Sequence, residues 1–285
     1  MCLGKNSLYK NTKESFILDY SIIIRCYNKL PLVKKCVEAA IQSTDFRTEI
    51  ILVNNHPPYQ EVTTYLNKLK HPRVTVLDPQ RNIGNAAGFN YGAQRAKGEY
   101  LIILDDDIIV PKNDWIDVMS KALNDFPDTA YVSLVWQGVR KLLENNPNYK
   151  NHIIQQPEYN IYFDKSYVVF GCVMLKKSIW KKYFSDSNLV NKDLYGIDGY
   201  YKNKANQLGM RTGYILSHVP EHLGRTKHSD LLYGAYKVIY AYGLTKEDFV
   251  TWRRRKPTFT AKEKIALLKF GYHETEIKNL TDNWH

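Results

Sequence analysis

Residues 100–107 read YLIILDDD, five consecutive apolar side chains followed by Asp105, Asp106 and Asp107. An apolar run of this length without polar alternation is expected to be a strand buried on both faces. Three adjacent carboxylates at its end repel one another unless a cation or a set of donors compensates. Side chains alternate along an extended strand, so Asp105 and Asp107 are expected to face the same way. Two readings are open at this point. One is an Asp-x-Asp pair binding Mg2+ or Mn2+ through oxygen, with Asp105 near a ribose or the metal and Asp107 on the metal. The other is a solvated acidic turn.

Upstream, strand and helix signals alternate. Tyr20 to Cys26 (YSIIIRC), Glu49 to Val53 (EIILV) and Val74 to Leu77 read as strands. Pro31 opens a helix at its tolerated first turn. Apolar pairs at Leu32/Val33, Cys36/Val37 and Ala40/Ile41 give that helix its buried stripe. Tyr59 to Leu69 is expected to be helical, as is the segment carrying Ala86, Phe89, Ala93 and Ala96. Such alternation indicates a parallel sheet covered on both faces. Ligands of these sheets bind beyond the carboxyl ends of the strands. The loops after Cys26, Val53, Leu77 and Leu104 are therefore expected to share one rim.

Beyond Pro111 the pattern loosens. Ile116, Met119 and Leu123 indicate a helix, and Ala130 to Trp136 a strand. Gly138 to Lys165 is polar and rich in Asn and Pro, and is read as an irregular loop over the site. Tyr167 to Leu175 (YVVFGCVML) reads as a strand, with a helix near Lys177 to Tyr183. Ile197, Tyr201 and Leu208 are placed on one face of a further helix, and Gly213 to Leu216 in the last strand. From about Leu231 the chain reads as amphipathic helix in pieces.

Composition sets the outer limits. The 285 residues are 44% hydrophobic, enough for one large domain or one domain with a tail. No run of 18 apolar residues exists, and the start, MCLGKNSLYKNTKESF, lacks the apolar stretch of a signal peptide. A cytoplasmic location is expected, with peripheral membrane attachment as its variant. Cys2, Cys26, Cys36 and Cys172 fit neither a zinc motif nor a disulfide framework, and are read as free thiols. With 40 Lys and Arg against 29 Asp and Glu, the net charge of +11 attracts anions. The cluster Arg253, Arg254, Arg255 and Lys256 is read either as a solvated tail or as a contact for an anionic membrane surface, nucleic acid or acceptor. No helix-turn-helix, zinc finger or aromatic RNA-binding signature accompanies the charge.

Three further motifs are candidates for the site. RNIGNAAGFNYG (81–92) puts Gly84, Gly88 and Gly92 at every fourth position, a smooth stripe for a ligand or for tight helix packing. It is neither a P-loop nor a GxGxxG pattern. Asp198, in LYGIDGYYKNKANQLG, opens a helix, where the dipole alone favours a carboxylate. His222, in VPEHLG, is a possible neutral-imidazole ligand, with His218 as its competitor.

Taken in order, YSIIIRCYN, EIILVNN and RNIGNAAGFNYGAQRAKGEYLIILDDDIIV resemble the nucleotide-binding half of a family 2 glycosyltransferase of the GT-A fold. VVFGCVMLKKSIW resembles that family's acceptor-side strand and helix. GIDGYYKNKANQLGMRTGYI resembles its Glu-Asp helix, and HLG the stretch that supplies a histidine. The likeness runs from about Asp19 to Gly224. It implies an α/β chain with a Rossmann-like, mixed but mainly parallel sheet flanked by helices, and a helical C-terminal extension. A lead (1–18) would precede the GT-A domain (19–228), with a nucleotide-binding half (19–110) and an acceptor half (111–228), and the extension (229–285) would follow.

By the same resemblance Asp198 is the general base, and Asp105, Asp107 and His222 hold Mn2+ or Mg2+. Arg25, Tyr27, Asn28, Asn54, Arg81, Asn82, Gly84, Asp105 and Asp106 line the donor site, with Asn54 where the family reads the nucleotide base. The chain departs from the family at Arg25 and Cys26 (usually Pro-Thr), at Asn54-Asn55 (usually acidic) and at Ile197 (usually Glu). The implied reaction is inverting, metal-dependent transfer of a hexosyl or N-acetylhexosaminyl group from a nucleotide-sugar, UDP-linked by preference, to an acceptor hydroxyl. Acceptors to consider are a glycan, a lipid-linked sugar or a modified macromolecule. A silent sugar-nucleotide-binding module is one rival. A nucleotidyltransferase is another, and it would need a Gly-rich basic loop where YNKLPL stands.

Overall fold

The computed structural model describes residues 18–27, 30–57, 60–147, 149–163, 170–185, 197–223 and 274–275. The lead, Asn28, Cys2, the basic cluster at 253–256 and nearly all of the expected C-terminal extension lie outside these residues.

The first half is strand–helix alternation. It runs β1 (Tyr20–Cys26), α1 (Leu30–Gln42), β2 (Thr48–Asn54), α2 (Gln60–Lys68), β3 (Val74–Leu77), α3 (Asn85–Ala93) and β4 (Tyr100–Asp105). It continues through β5 (Ile108–Ile109), α4 (Trp115–Asp125), β6 (Thr129–Leu134) and α5 (Gln137–Glu144). After a 3-10 turn at Tyr149–His152 come β7 (Ile153–Gln155), β8 (Asn160–Phe163) and β9 (Cys172–Lys176). The short α6 (Lys177–Ile179) runs into a π turn (Trp180–Phe184), followed by α7 (Ile197–Gln207), β10 (Arg211–Ile215) and β11 (Glu221–His222).

Nine strands form one sheet in the order β3-β2-β1-β4-β9-β6-β10-β8-β7. The first four are parallel, β9 is antiparallel to both β4 and β6, and β6 and β10 are parallel. This is the mixed, mainly parallel sheet expected. The pleat divides the apolar run of β1 between two cores. Ile22 and Ile24 pack with Val33, Cys36, Val62, Leu66, Trp115 and Met119 from α1, α2 and α4. Ile23 packs with Phe89 and Ala93 of α3, Phe184 of the π turn and Tyr201 of α7 on the opposite face. Burying each such Ile contributes about 1.5–3 kcal/mol.

Several expectations are corrected. Residues 138–165 are not an irregular loop: they hold most of α5, the 3-10 turn, β7 and β8. Val139 and Leu143 of α5 bury with Tyr149, Tyr162 and Tyr214 in a third core, and β8 pairs with β10 to extend the sheet. Asn and Pro between short elements had masked that packing. In the segment 167–175 the strand starts only at Cys172; Phe170 and Gly171 precede it, and 167–169 lie outside the described residues. Leu208 follows α7 and is exposed, so Ile197, Tyr201 and Ala205 define its buried face. β10 is not the last strand. β11 pairs antiparallel with β5, His222 opposite Ile108.

Candidate functional site

The carboxyl ends of β1 to β4 meet on one rim, as parallel strands must. The Asn55 amide donates to the Cys26 carbonyl at 3.2 Å, joining the loops after β2 and β1. Arg25 of β1 and Asp105 of β4 are register neighbours, and a guanidinium nitrogen of Arg25 donates to Asp105 Oδ1 at 2.5 Å. The other terminal nitrogen donates to the Asn85 carbonyl at 3.1 Å. Arg25 is buried, and its Nε, also buried, has no hydrogen-bond partner among the described residues.

The acidic triplet is distributed rather than aligned. β4 ends at Asp105, and Asp106 and Asp107 form a turn, so strand alternation does not operate across them. Asp105, 34% exposed at its side chain, faces Arg25. Asp106 is buried and accepts from the Tyr27 amide at 2.6 Å. Asp107 is fully buried, and its Oδ2 lies 3.4 Å from His222 Nε2. The β5–β11 pairing makes that contact, aided by the Leu223 amide, which donates to the Asp107 carbonyl at 2.9 Å. The His222 ring also lies against Trp136, centroids 4.6 Å apart. His218 is engaged elsewhere, 3.1 Å from Asp114. Among the described residues no three His, Cys, Asp or Glu side chains are grouped to hold a metal. The structure thus brings Asp107 and His222 together and leaves Asp105 with Arg25.

Around Gly84 the backbone is clamped. Asn55 donates from Nδ2 to the Gly84 carbonyl (3.1 Å) and accepts from the Ile83 amide (3.0 Å). Asn82 Oδ1 accepts from the Gly84 amide at 2.8 Å, and Asn82 Nδ2 is buried without a partner among the described residues. Gly84 has φ 83°, a left-handed conformation that glycine adopts without strain. Gly84 therefore caps α3 instead of sharing a stripe with Gly88 and Gly92. Arg81 is exposed. Gly92 serves packing: a Cβ there would lie 2.6 Å from Ile23 Cγ2.

At the end of β2, Asn54 is fully buried with its amide occupied, donating to Asp78 Oδ2 and accepting from Thr63, both at 3.3 Å. His56 and Asp78 were not picked out from the sequence. Single polar residues at strand ends carry no periodic signal, and only the adjacency of β2 and β3 joins them.

Asp198 lies in the first turn of α7, half-buried. It is near enough to Tyr131 for its charge to add to burial in pushing that phenol's pKa up. α7 is pinned by Tyr201, which stacks on Phe184 (4.5 Å, 9°) and meets Phe170, Tyr131 and Phe89 edge-on.

The family model described as glycosyl transferase family 2 matches residues 21–184, more than half of the chain. The chain belongs to that family. Among curated relatives of this family 2 chain is a glycosyltransferase of Methanocaldococcus jannaschii, 27% identical over 183 residues, 61% of each chain. Another is the minor teichoic acid biosynthesis protein GgaB of Bacillus subtilis, 30% identical over 111 residues, 38% of this chain and 12% of that protein. The chain thus spans less than two thirds of either relative. Of solved structures, the Pyrobaculum calidifontis mannosyltransferase in complex with GDP-Man and Mn2+ superposes with TM-score 0.54 at 16% identity, covering 89% of this chain and 69% of that one. S. aureus TarS in complex with UDP-GlcNAc gives 0.50 at 15%, covering 93% and 71%. The family 2 chain has their GT-A fold. No helix among its described residues is long and apolar enough to cross a membrane.

Proposed function

We propose that this family 2 chain transfers a sugar from a nucleotide-diphosphate sugar, UDP-linked by preference, to an acceptor hydroxyl, with inversion at the anomeric carbon. The observation that carries this reading is the rim itself. A buried arginine, two buried carboxylates and a histidine converge there at the carboxyl ends of parallel strands, where such sheets take their ligands.

A divalent cation fits Asp107 and His222. Two ligands on one octahedral cation, each at about 2.1 Å, stand about 3 Å apart, close to the 3.4 Å between Asp107 Oδ2 and His222 Nε2. A carboxylate and an imidazole suit Mn2+ or Mg2+. When bound, the cation would supply charge neutralisation of the leaving diphosphate. Arg25 adds a fixed positive charge on the same rim, and Asp106 holds the Tyr27 backbone in place. Asp198 takes the proton from the acceptor hydroxyl as it attacks. One base on the face opposite the leaving group implies inversion.

The Mn2+-bearing and nucleotide-sugar-bearing structures with the same fold support the donor class and the cation. Hexosyl and N-acetylhexosaminyl donors are both proposed, and the acceptor class stays a glycan, a lipid-linked sugar or a modified macromolecule. The site of action proposed is the cytoplasm or its membrane surface. A thermal-shift screen of UDP- and GDP-sugars with and without Mn2+ tests the reading. A cation-dependent rise in Tm with at least one donor is expected; no shift with any donor overturns it.

A further inference from the structure

Asn54 occupies the position where an acidic residue is expected to read the nucleobase, yet its amide is fully buried and spent on Thr63 and Asp78. The carboxylate it supports is at the end of the neighbouring strand. Asp78 Oδ1 lies 2.6 Å from His56 Nε2 and accepts from the Gln80 amide at 2.7 Å, while Oδ2 accepts from Asn54 at 3.3 Å. Burial alone would raise this carboxyl, but the bonds from His56, Gln80 and Asn54 outweigh it and hold its pKa below the ordinary carboxylate value. Its side chain stays 28% exposed. It also borders an open groove of about 630 Å³ that runs between α2 and β3 back to His71 and Pro72.

We infer that Asp78 is the base-reading carboxylate of this chain, moved from the end of β2 to the end of β3, and that it selects uracil. This rests on the sugar-nucleotide reading above. A carboxylate offers about four lone-pair positions, two on each oxygen. His56 and Gln80 fill those of Oδ1, and Asn54 takes one on Oδ2. Among the described residues one acceptor position therefore remains, on Oδ2. Uracil presents one imino N–H flanked by carbonyls and fits it. Guanine presents two adjacent N–H donors, and the second finds Oδ1 filled. Cytosine has an acceptor nitrogen in the place of the imino N–H, which a carboxylate repels, and its N4 amino group donates only from a position offset from that of the uracil N–H.

Isothermal titration of the full chain with UDP, N3-methyl-UDP, CDP and GDP, each with Mn2+, tests this. Wild type is expected to bind UDP at least tenfold more tightly than the other three, in line with a hydrogen bond to a charged group. In Asp78→Asn, UDP and CDP should bind within about threefold of each other, and the N3-methyl penalty should shrink likewise. His56→Gln, which keeps a side-chain N–H donor, should preserve most of the preference for UDP. Equal wild-type affinity for UDP and N3-methyl-UDP, or an undiminished UDP preference in folded Asp78→Asn, overturns the assignment. No binding by any of the four nucleotides overturns the sugar-nucleotide reading beneath it.

Discussion

Arg25 and Asp105 stand opposite each other on adjacent parallel strands, with 2.5 Å between guanidinium nitrogen and carboxylate oxygen. The family's usual Pro-Thr is absent here, and a buried cation takes its place. Its stem runs past Gly88, where an added Cβ would lie 3.4 Å from Arg25 Cγ and Cδ. Arg25→Met removes bonds to both Asp105 and the Asn85 carbonyl. Urea unfolding should show a loss of about 2 kcal/mol, typical of hydrogen bonds to a charged group. Arg25→Lys should restore little, because a single ammonium cannot span both acceptors as the planar fork does.

The cation assignment separates the three aspartates. With Asp105 tied to Arg25 and Asp107 beside His222, Asp107→Asn and His222→Ala should each weaken Mn2+ binding tenfold or more in the presence of UDP. Asp105→Asn should weaken it less than threefold. Electron paramagnetic resonance of free Mn2+ reads this without turnover. Loss of Mn2+ binding in Asp105→Asn equal to that in Asp107→Asn would return Asp105 to the ligand set.

The parallel core was open to sequence reasoning because β1, β2 and β4 carry continuous apolar runs (Ile22–Ile24, Ile50–Val53 and Leu101–Leu104) whose burial needs both faces covered. The shared rim followed from that topology, and Arg25, Asp105 and Asp106 do meet on it. From the residues His222 was a candidate ligand alongside His218, and family likeness chose between them. Two strands of two residues, more than a hundred residues apart in sequence, make the Asp107–His222 contact, and so short a pairing leaves no pattern. Asp78 escaped for a related reason. Its partners Asn54 and His56 are brought to it by the β2–β3 register alone, and nothing in LDPQ (77–80) or VNNH (53–56) announces a hydrogen-bond acceptor site.

Gly92 offers a packing test clear of the rim's polar groups. Its absent Cβ leaves room for Ile23, so Gly92→Ala forces Ile23 or α3 to move. Overpacking of this kind costs about 1–3 kcal/mol, against the helix propensity gained by alanine. A lower urea midpoint with an unchanged m-value is expected. A midpoint at or above wild type would mean that α3 is free to shift away from β1.

Cys26, Cys36 and Cys172 are free and fully buried. Burial pushes all three thiols up; the charge of Asp106 adds to this at Cys26 and Cys36, and that of Asp105 at Cys172. At pH 8 they should remain protonated and resist iodoacetamide in the native protein, becoming modified only in urea. Peptide mass spectrometry reads each site separately. Rapid native labelling of Cys36, which donates from Sγ to the Asp105 carbonyl at 3.3 Å, would show that the acidic turn opens in solution.

Asp198 carries the sharpest kinetic expectation. Its helix is held by the Tyr201–Phe184 stack. Asp198→Asn keeps the shape and removes the proposed proton acceptor. With a base contribution of about 3 kcal/mol, kcat should fall about 10² to 10³-fold while donor affinity and Tm stay near wild type. Tyr201→Leu tests the support separately: loss of the stack should lower Tm and kcat together, because α7 loosens. Near-normal turnover in Asp198→Asn, measured as nucleotide release with an accepted sugar acceptor, would move the base to another residue. A fall in donor affinity with kcat unchanged would place Asp198 in donor binding instead.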